Sequence, residues 1–430
     1  MERNSREVGA FAQGTPRDPH RSPPIFENLD DAVFRTNPAY ELVLFERLPA
    51  EQQDLLRGLE KDPELFGIAR PRERLDLTVK SICRNTALLL FTLREPGAIP
   101  CYVRTMLGES YSAAIAELVL DGLLEVEHGG SFSSGASAYP LICQSRPETG
   151  VPGGMVAQLS VDALKYAQAL DLDDSVKLSA RLYFYNRRPV SPEWKRKLPA
   201  PEAVAEYLGA VADGPERWSL GPRWSQVSLP PGHAERWIMW RPARSRPTPP
   251  DSNITYKLYV SPTVEHARDA FRATIDVIGG LDTRRVKVGK DVHGLMRPDK
   301  LVAYFWSAEE VHEAAKRLRA RLDGCPAHGV PFTAEIGQDG LLSWGVDPPH
   351  EEHVLELQER ESWRLWVTNR LAVALVGGKA STSRSIEPWR FALERLRLDG
   401  VDTETWSPTP GMWERDGCGH PRGAVDHGHH

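Results

Sequence analysis

Cysteine is scarce in this sequence. Cys83, Cys101, Cys143, Cys325 and Cys418 are odd in number, widely separated, and form no C-x-x-C pair. That usage argues against a disulfide framework and against a cysteine-built zinc site, and it predicts a reducing, cytoplasmic setting. No stretch approaches the ~18 apolar residues a membrane-spanning helix needs. The opening MERNSREVGAFAQGTPRDPHRSPP lacks the apolar segment of a secretory signal. There is no glycine-rich phosphate loop and no HRD or DFG motif, so nothing predicts that the chain phosphorylates a substrate itself. Positive charge is not in surplus either. The net charge of −6 disfavours a protein that coats nucleic acid. His293, His312 and His328 have no ligand spacing and read as structural or solvent-facing. The His-rich end CGHPRGAVDHGHH reads as a polar tail, so no metal or organic cofactor is expected.

What is present is an ordinary globular composition, long enough for two or three domains. The pattern predicts an α+β fold in parts. Residues 1–25 and 407–430 read as disordered tails. Residues 28–145 read as a winged-helix-like helical domain, 157–243 as a middle segment of helices and aromatics, and 252–406 as a mixed α/β domain.

In the first part, NPAYELVLFERL and AEQQDLLRGLEKD carry helical spacing, and LTVKSICRNTALLLFTL reads as one apolar helix ending before Glu95-Pro96-Gly97. A short helix and a longer one follow, with Ser110 or Ser112 as N-cap and Gly122 at the C-terminus. LLEVEHGGSFSSG would be the wing. The longer helix carries Glu117 and Asp121 and no Arg or Lys, so it would repel a phosphate backbone; peptide docking or a structural role is expected instead.

In the middle part, Ser160 is expected to cap LSVDALKYAQAL. KLSARLYFYNRRPVSPEWKRKL, dense in aromatics and cations, is read either as a binder of acidic or phosphorylated peptide or as a strand-turn-helix. Trp218, Trp224, Trp237 and Trp240 fall in a stretch rich in loop signals.

Residues 256–349 carry the chemistry. Three short strands are expected in ITYKLYV, RRVKVGK and LVAYFW, with a helix after the first, a turn over HGLMRPDK before the third, a helix capped by Ser307 and Glu310 after it, and a hairpin of VPFTAEI and LLSWGV at the end. Alternation puts Lys257, Tyr259 and Ser261 on one face of the first strand, and Arg285, Lys287 and Gly289 on one face of the second. An unpaired buried ammonium costs several kcal/mol by order of magnitude. That face therefore meets solvent or holds an anion. A phosphate would fit between Arg297, Lys300 and Lys257, with Lys290 contributing charge and Tyr304 a hydroxyl, since guanidinium forks match phosphate oxygens.

YKLYVSP, a helix, VKVG and RPDKLVAYF together resemble the lyase domain of class III and IV lanthipeptide synthetases. There, a Lys-x-His-Val-Ser strand precedes a helix, a lysine strand, and an Arg/Lys turn into an aromatic strand. The plan is also similar to the phosphothreonine lyases among type III secretion effectors and to the stand-alone lyases of class V lanthipeptide and thioamitide clusters. The resemblance covers about residues 254–349. It implies a cofactor-free β-elimination of phosphate from phosphoserine or phosphothreonine, with Lys287 as base, Lys257 contacting substrate or phosphate, Arg297 binding phosphate and Tyr304 as the aromatic beside them. Two positions depart from it. Tyr259 stands where the family has its general-acid histidine, and the ordinary phenol pKa near ~10 makes a weaker acid. The family's late arginine is missing at Ser343-Trp344-Gly345.

The implied partners are a phosphorylated precursor peptide, a separate Ser/Thr kinase and a cyclase, with no nucleic acid and no membrane. Two alternatives stay open: a non-catalytic phosphopeptide-binding scaffold on the same fold, and a winged-helix regulator.

Overall fold

In a computed structural model the described residues are 31–55, 64–72, 79–108, 111–143, 153–210, 220, 223–243, 254–348, 361–381, 386–409 and 412. The expected tail over 1–25, the candidate cap Ser110, Trp218, and most of 407–430 lie outside them. The described residues form a mixed α+β structure, as the pattern predicts.

The chain begins with β1 (Phe34–Thr36), β2 (Tyr40–Leu44), α1 (Ala50–Leu55), β3 (Leu65–Pro71) and β4 (Lys80–Cys83). NPAYELVLFERL forms a strand followed by only a single 3-10 turn, Phe45–Arg47, in place of the expected helix. Val43 in β2 pairs across to Ile68 in β3, and β4 completes an antiparallel sheet of three. Cross-strand pairing overrides weak helical spacing here. β4 likewise takes the front of the expected apolar helix and leaves α2 (Arg84–Thr92) the remainder.

α3 (Cys101–Leu107), α4 (Tyr111–Leu120), β5 (Leu124–His128) and β6 (Ser131–Ser133) follow in the expected order. Gly129 and Gly130, both at positive φ, turn β5 into β6. Ser112 lies inside α4, not at its cap. The acidic residues of α4 do not face outward. Glu117 is buried, and Asp121 pairs with Lys80 at 3.4 Å and with an arginine near the C-terminus, Arg395. α4 is thus an interior helix.

After α5 (Tyr139–Ile142) come α6 (Met155–Ala169), α7 (Ser175–Tyr183), α8 (Pro192–Lys197) and α9 (Pro201–Leu208). Ser160 sits mid-helix in α6, where its hydroxyl donates to the Val156 carbonyl and accepts from the Phe332 N–H. KLSARLY forms the body of α7, not a strand, because Leu178 and Leu182 recur at helical spacing and are both buried.

The rest builds one sheet and its cover: β7 (Trp224–Gln226), β8 (Trp237–Pro242), β9 (Thr255–Val260), α10 (Ala267–Ile278), β10 (Arg285–Gly289), α11 (Val292–Leu295), β11 (Leu301–Phe305), α12 (Ala308–Arg321), β12 (Ala334–Ile336) and β13 (Leu342–Asp347). The strand order is β12-β13-β9-β11-β10-β8-β7, and every neighbouring pair is antiparallel. Trp224, Trp237 and Trp240 therefore lie in strands that extend the sheet, not in loops. α12 starts at a complete capping box, Ser307 with Glu310. α13 (Trp363–Ala380), α14 (Pro388–Leu398), β14 (Val401–Asp402) and β15 (Ser407–Pro408) close the chain.

Two cores divide these elements. One lies between one sheet face (Leu258, Val260, Val286, Val288, Leu301, Phe305) and α9, α10 and α12. The other joins α2 and α4 to α6, α7, α13 and α14 through residues such as Leu90, Ile115, Leu164, Leu182, Trp363 and Leu371. The helices that follow the sheet in sequence thus pack with those that precede it. Their layer roofs the second sheet face. Among the described residues no helix is long and apolar enough to cross a membrane.

Candidate active site

The roofed face carries the polar half of each strand. Register places Lys257 beside Tyr304 and Gly345, Tyr259 beside Val302 and Ser343, and Lys287 beside Val302 and Met239. The expected alternation of ITYKLYV and RRVKVGK is therefore observed, and it brings Lys257, Tyr259, Arg285, Lys287 and Tyr304 to one surface.

Arg297 reaches this surface through a tight return. A Cβ on Gly289 would fall 2.5 Å from the backbone of Gly294, so only a glycine lets α11 fold directly back against the end of β10. Asp291 caps that single turn by accepting from the Gly294 N–H. Arg297 then grips Asp299 with two parallel bonds, 2.8 and 2.9 Å, and its other contacts are the Tyr183 hydroxyl at 3.4 Å and the Trp237 ring at 4.7 Å.

The roof contributes Arg364 from α13. This guanidinium is buried, pairs with Asp299 at 3.0 Å, donates to the Tyr183 carbonyl at 2.8 Å, and lies 4.7 Å from the Tyr183 ring. Asp347 holds Lys257 at 2.6 Å and accepts from the Trp363 N–H, so the start of α13 fixes the ion pair at the end of β13. A Cβ on Gly345 would meet the Trp363 ring at 2.4 Å, which keeps that strand position free for the indole.

Two cations on this face have no carboxylate of their own. Lys287 Nζ lies 4.0 Å from the centre of the Trp237 ring and 5.7 Å from that of Tyr304. Arg285 lies 4.4 Å over the Tyr304 ring, and its Nε is buried without a hydrogen-bond partner. Among the described residues neither side chain makes an ion pair. Lys257, Arg285, Lys287, Arg297 and Arg364 thus face only Asp299 and Asp347 around one aromatic cluster. A surplus of positive charge of this kind, with Lys257 and Arg364 buried and the other three partly so, favours an anion.

The titration behaviour follows from these contacts. Burial lowers the Lys287 ammonium below its ordinary range, with Arg297 adding to the effect and Tyr183, Asp299 and Asp347 opposing it. Burial is the leading cause, and Arg297 rather than a cation adjacent in sequence is the neighbouring charge. Asp299 stays ionised far below the usual carboxylate range because Arg297 and Arg364 outweigh its burial. Burial, helped by Asp347, raises the Tyr259 phenol well above its ordinary value; burial also raises that of Tyr304.

Two expected phosphate ligands point elsewhere. Lys300 is fully buried and donates to the Pro262 carbonyl at 2.8 Å and to His328 Nδ1 at 2.9 Å. His328 Nε2–H in turn donates to the Asn186 carbonyl, so this lysine ties the loop after α7 to the sheet. Burial brings the Lys300 ammonium down to about 7. Lys290 donates to the Ala234 carbonyl at 2.8 Å and lines a groove of about 300 Å³ with Val227, Leu229, Trp237 and Met239.

Trp237, Asp347 and Arg364 carried no site expectation from the sequence, whereas Tyr183 lies in the aromatic and cationic segment read as one of two things, a peptide binder among them. Arg364 had one usable signal, an arginine flanked by Trp363 and Trp366 on an apolar helix, where charge demands a buried partner.

No protein-family model matches the sequence, and no curated protein matches it. Among solved structures, the chain is similar to an effector protein from Pseudomonas syringae pv. tomato, at 13% identity over 59% of this chain and 98% of that one, with a TM-score of 0.37. It is similar to the phosphothreonine lyase SpvC, an effector protein from Salmonella, at 14% identity over 49% and 98%, TM-score 0.25. A third is the Chromobacterium violaceum phosphothreonine lyase effector VirA, at 14% identity over 29% and 66%, TM-score 0.24.

Proposed function

We propose that the chain is a cofactor-free lyase that eliminates phosphate from phosphoserine or phosphothreonine in a peptide. The observation that carries the reading is Lys287. It stands 4.0 Å from the centre of the Trp237 ring with no ion pair among the described residues, in a surplus of positive charge, where desolvation lowers its basicity. A neutral Lys287 Nζ takes the Cα proton. The freed electron pair forms the Cα–Cβ double bond, the Cβ–O bond breaks, and phosphate departs with the bonding electrons. The products are a dehydroamino acid, inorganic phosphate and a lysine ammonium.

Arg285 and Arg297 would take the phosphate oxygens, and Lys257 with Tyr304 would stand beside them. Prealigned cations stabilise charge that develops on the leaving group without reorganising. Tyr259 fits a different role from the acid of the resembling lyases. Its buried, reluctant phenol keeps its proton and serves as a hydrogen-bond donor, so phosphate leaves as a dianion held by cations.

In this reading the substrate is a precursor peptide of lanthipeptide-like natural-product biosynthesis in the cytoplasm. A separate Ser/Thr kinase installs the phosphate, and a cyclase uses the dehydroamino acid. A second reading, a non-catalytic phosphopeptide binder, draws support from Tyr259 and from the Asp347 carboxylate that neutralises Lys257. Incubation with a synthetic phosphothreonine peptide separates them by mass spectrometry. The lyase yields dehydrobutyrine and free phosphate; bound but unchanged peptide supports the binder.

A further inference from the structure

We infer that Arg181, Phe184 and Arg187, at the α7 rim of the anion site, bind acidic residues flanking the phosphorylated residue of the substrate peptide. The inference rests on the phosphopeptide reading above and adds a sequence preference to it.

Phe184 is 45% exposed, unusual for a phenylalanine with a sheet and two helical layers to pack against. It follows Tyr183 directly, and the two rings stand edge to face with centroids 5.4 Å apart. Tyr183 is the roof residue that touches both Arg297 and Arg364, so Phe184 lies one ring away from the anion site. Arg187 lies 5.8 Å from the Phe184 ring and donates to the His293 carbonyl at 3.3 Å, which seats it on α11, just before Arg297. Arg181 is three residues ahead of Phe184, on the same side of the α7 end, and is exposed.

Charge accounting supports these two arginines. Nearby Lys177 is answered by Asp174 at 3.0 Å. Arg181 and Arg187 have no carboxylate partner among the described residues. An exposed aromatic between two unanswered guanidinium groups matches a peptide that brings carboxylates and an apolar stem. Complementary charge at such a rim sets preference and encounter rate more than total affinity.

The test uses the full chain and three synthetic phosphothreonine peptides whose residues on both sides are Glu, Gln or Lys. Elimination and fluorescence-anisotropy binding are measured for each. The wild-type protein should favour the Glu peptide over the Gln peptide by about fivefold to tenfold, fading as salt rises. In the double variant Arg181→Glu, Arg187→Glu the order should invert, with the Lys peptide preferred; that gain requires a folded protein. An unchanged ranking in the variant overturns the inference while leaving the lyase intact. Binding that inverts without elimination of any peptide supports the rim and overturns the lyase.

Discussion

Lys287 and Trp237 meet face to cation on adjacent strands, the ammonium 4.0 Å from the centre of the indole. A ring attracts a cation without neutralising it and without occupying its hydrogen-bonding directions with a carboxylate. Lys257, two strands away on the same face, is held at 2.6 Å by Asp347. One lysine is committed and the other is available.

Replacement of Lys287 should therefore separate chemistry from binding. Lys287→Ala is expected to lower elimination by about 10²–10⁴-fold, the usual scale for losing a positioned base. Arg285 and Arg297 remain in place, so phosphopeptide should still bind. Single-turnover kinetics beside anisotropy titration checks both; equal losses in rate and affinity would remove the base assignment.

The rate should rise with pH. Only the neutral amine can take a proton, and burial lowers the Lys287 pKa from the ordinary 10.5. The rise in kcat/KM should level off below that value. Arg297→Gln removes a cation that depresses Lys287 and frees Asp299 to favour its charged form, so the midpoint should move upward. A midpoint that moves down or stays fixed contradicts this electrostatic account.

Asp299 answers both Arg297 and Arg364. Asp299→Asn leaves the buried Arg364 without its carboxylate, a change of the class that costs about 3–5 kcal/mol. Urea unfolding should show that loss, whereas Asp276→Asn, which breaks a half-exposed pair with Arg321, should cost under about 1 kcal/mol.

Lys300 should be visible in stability rather than in catalysis. Its folded-state pKa is about 7 against an ordinary 10.5. Between those values the unfolded chain holds a proton that the folded chain lacks. Stability therefore rises with pH across that window by up to about 1.4 kcal/mol per unit, and is lost as pH falls through 7. Lys300→Met, which never carries the charge, should flatten the rise.

The face-by-face pattern was legible because strand periodicity is strictly two. Tyr256, Leu258 and Val260 against Lys257 and Tyr259 could be assigned from spacing, and the capping box at Ser307 and Glu310 from short-range chemistry. What spacing could not supply was long-range pairing. Val43 finds Ile68, β8 joins β10 across more than forty residues, and Arg364 meets Asp299 from a different layer. For the same reason Lys300, placed by motif beside Arg297, turned out to bond inward to His328. A sequence tells which cations are present on a strand end, and tertiary partners decide which of them remain free.

The most direct measurement is elimination from a phosphothreonine peptide deuterated at Cα, followed by kinetics and by mass spectrometry of the product. The account predicts dehydrobutyrine, inorganic phosphate and a normal primary isotope effect in the wild-type protein, with no product from Lys287→Ala on the same timescale. Release of phosphate with ordinary threonine left in the peptide and no isotope effect would contradict it, because that outcome is hydrolysis and needs no base at Lys287.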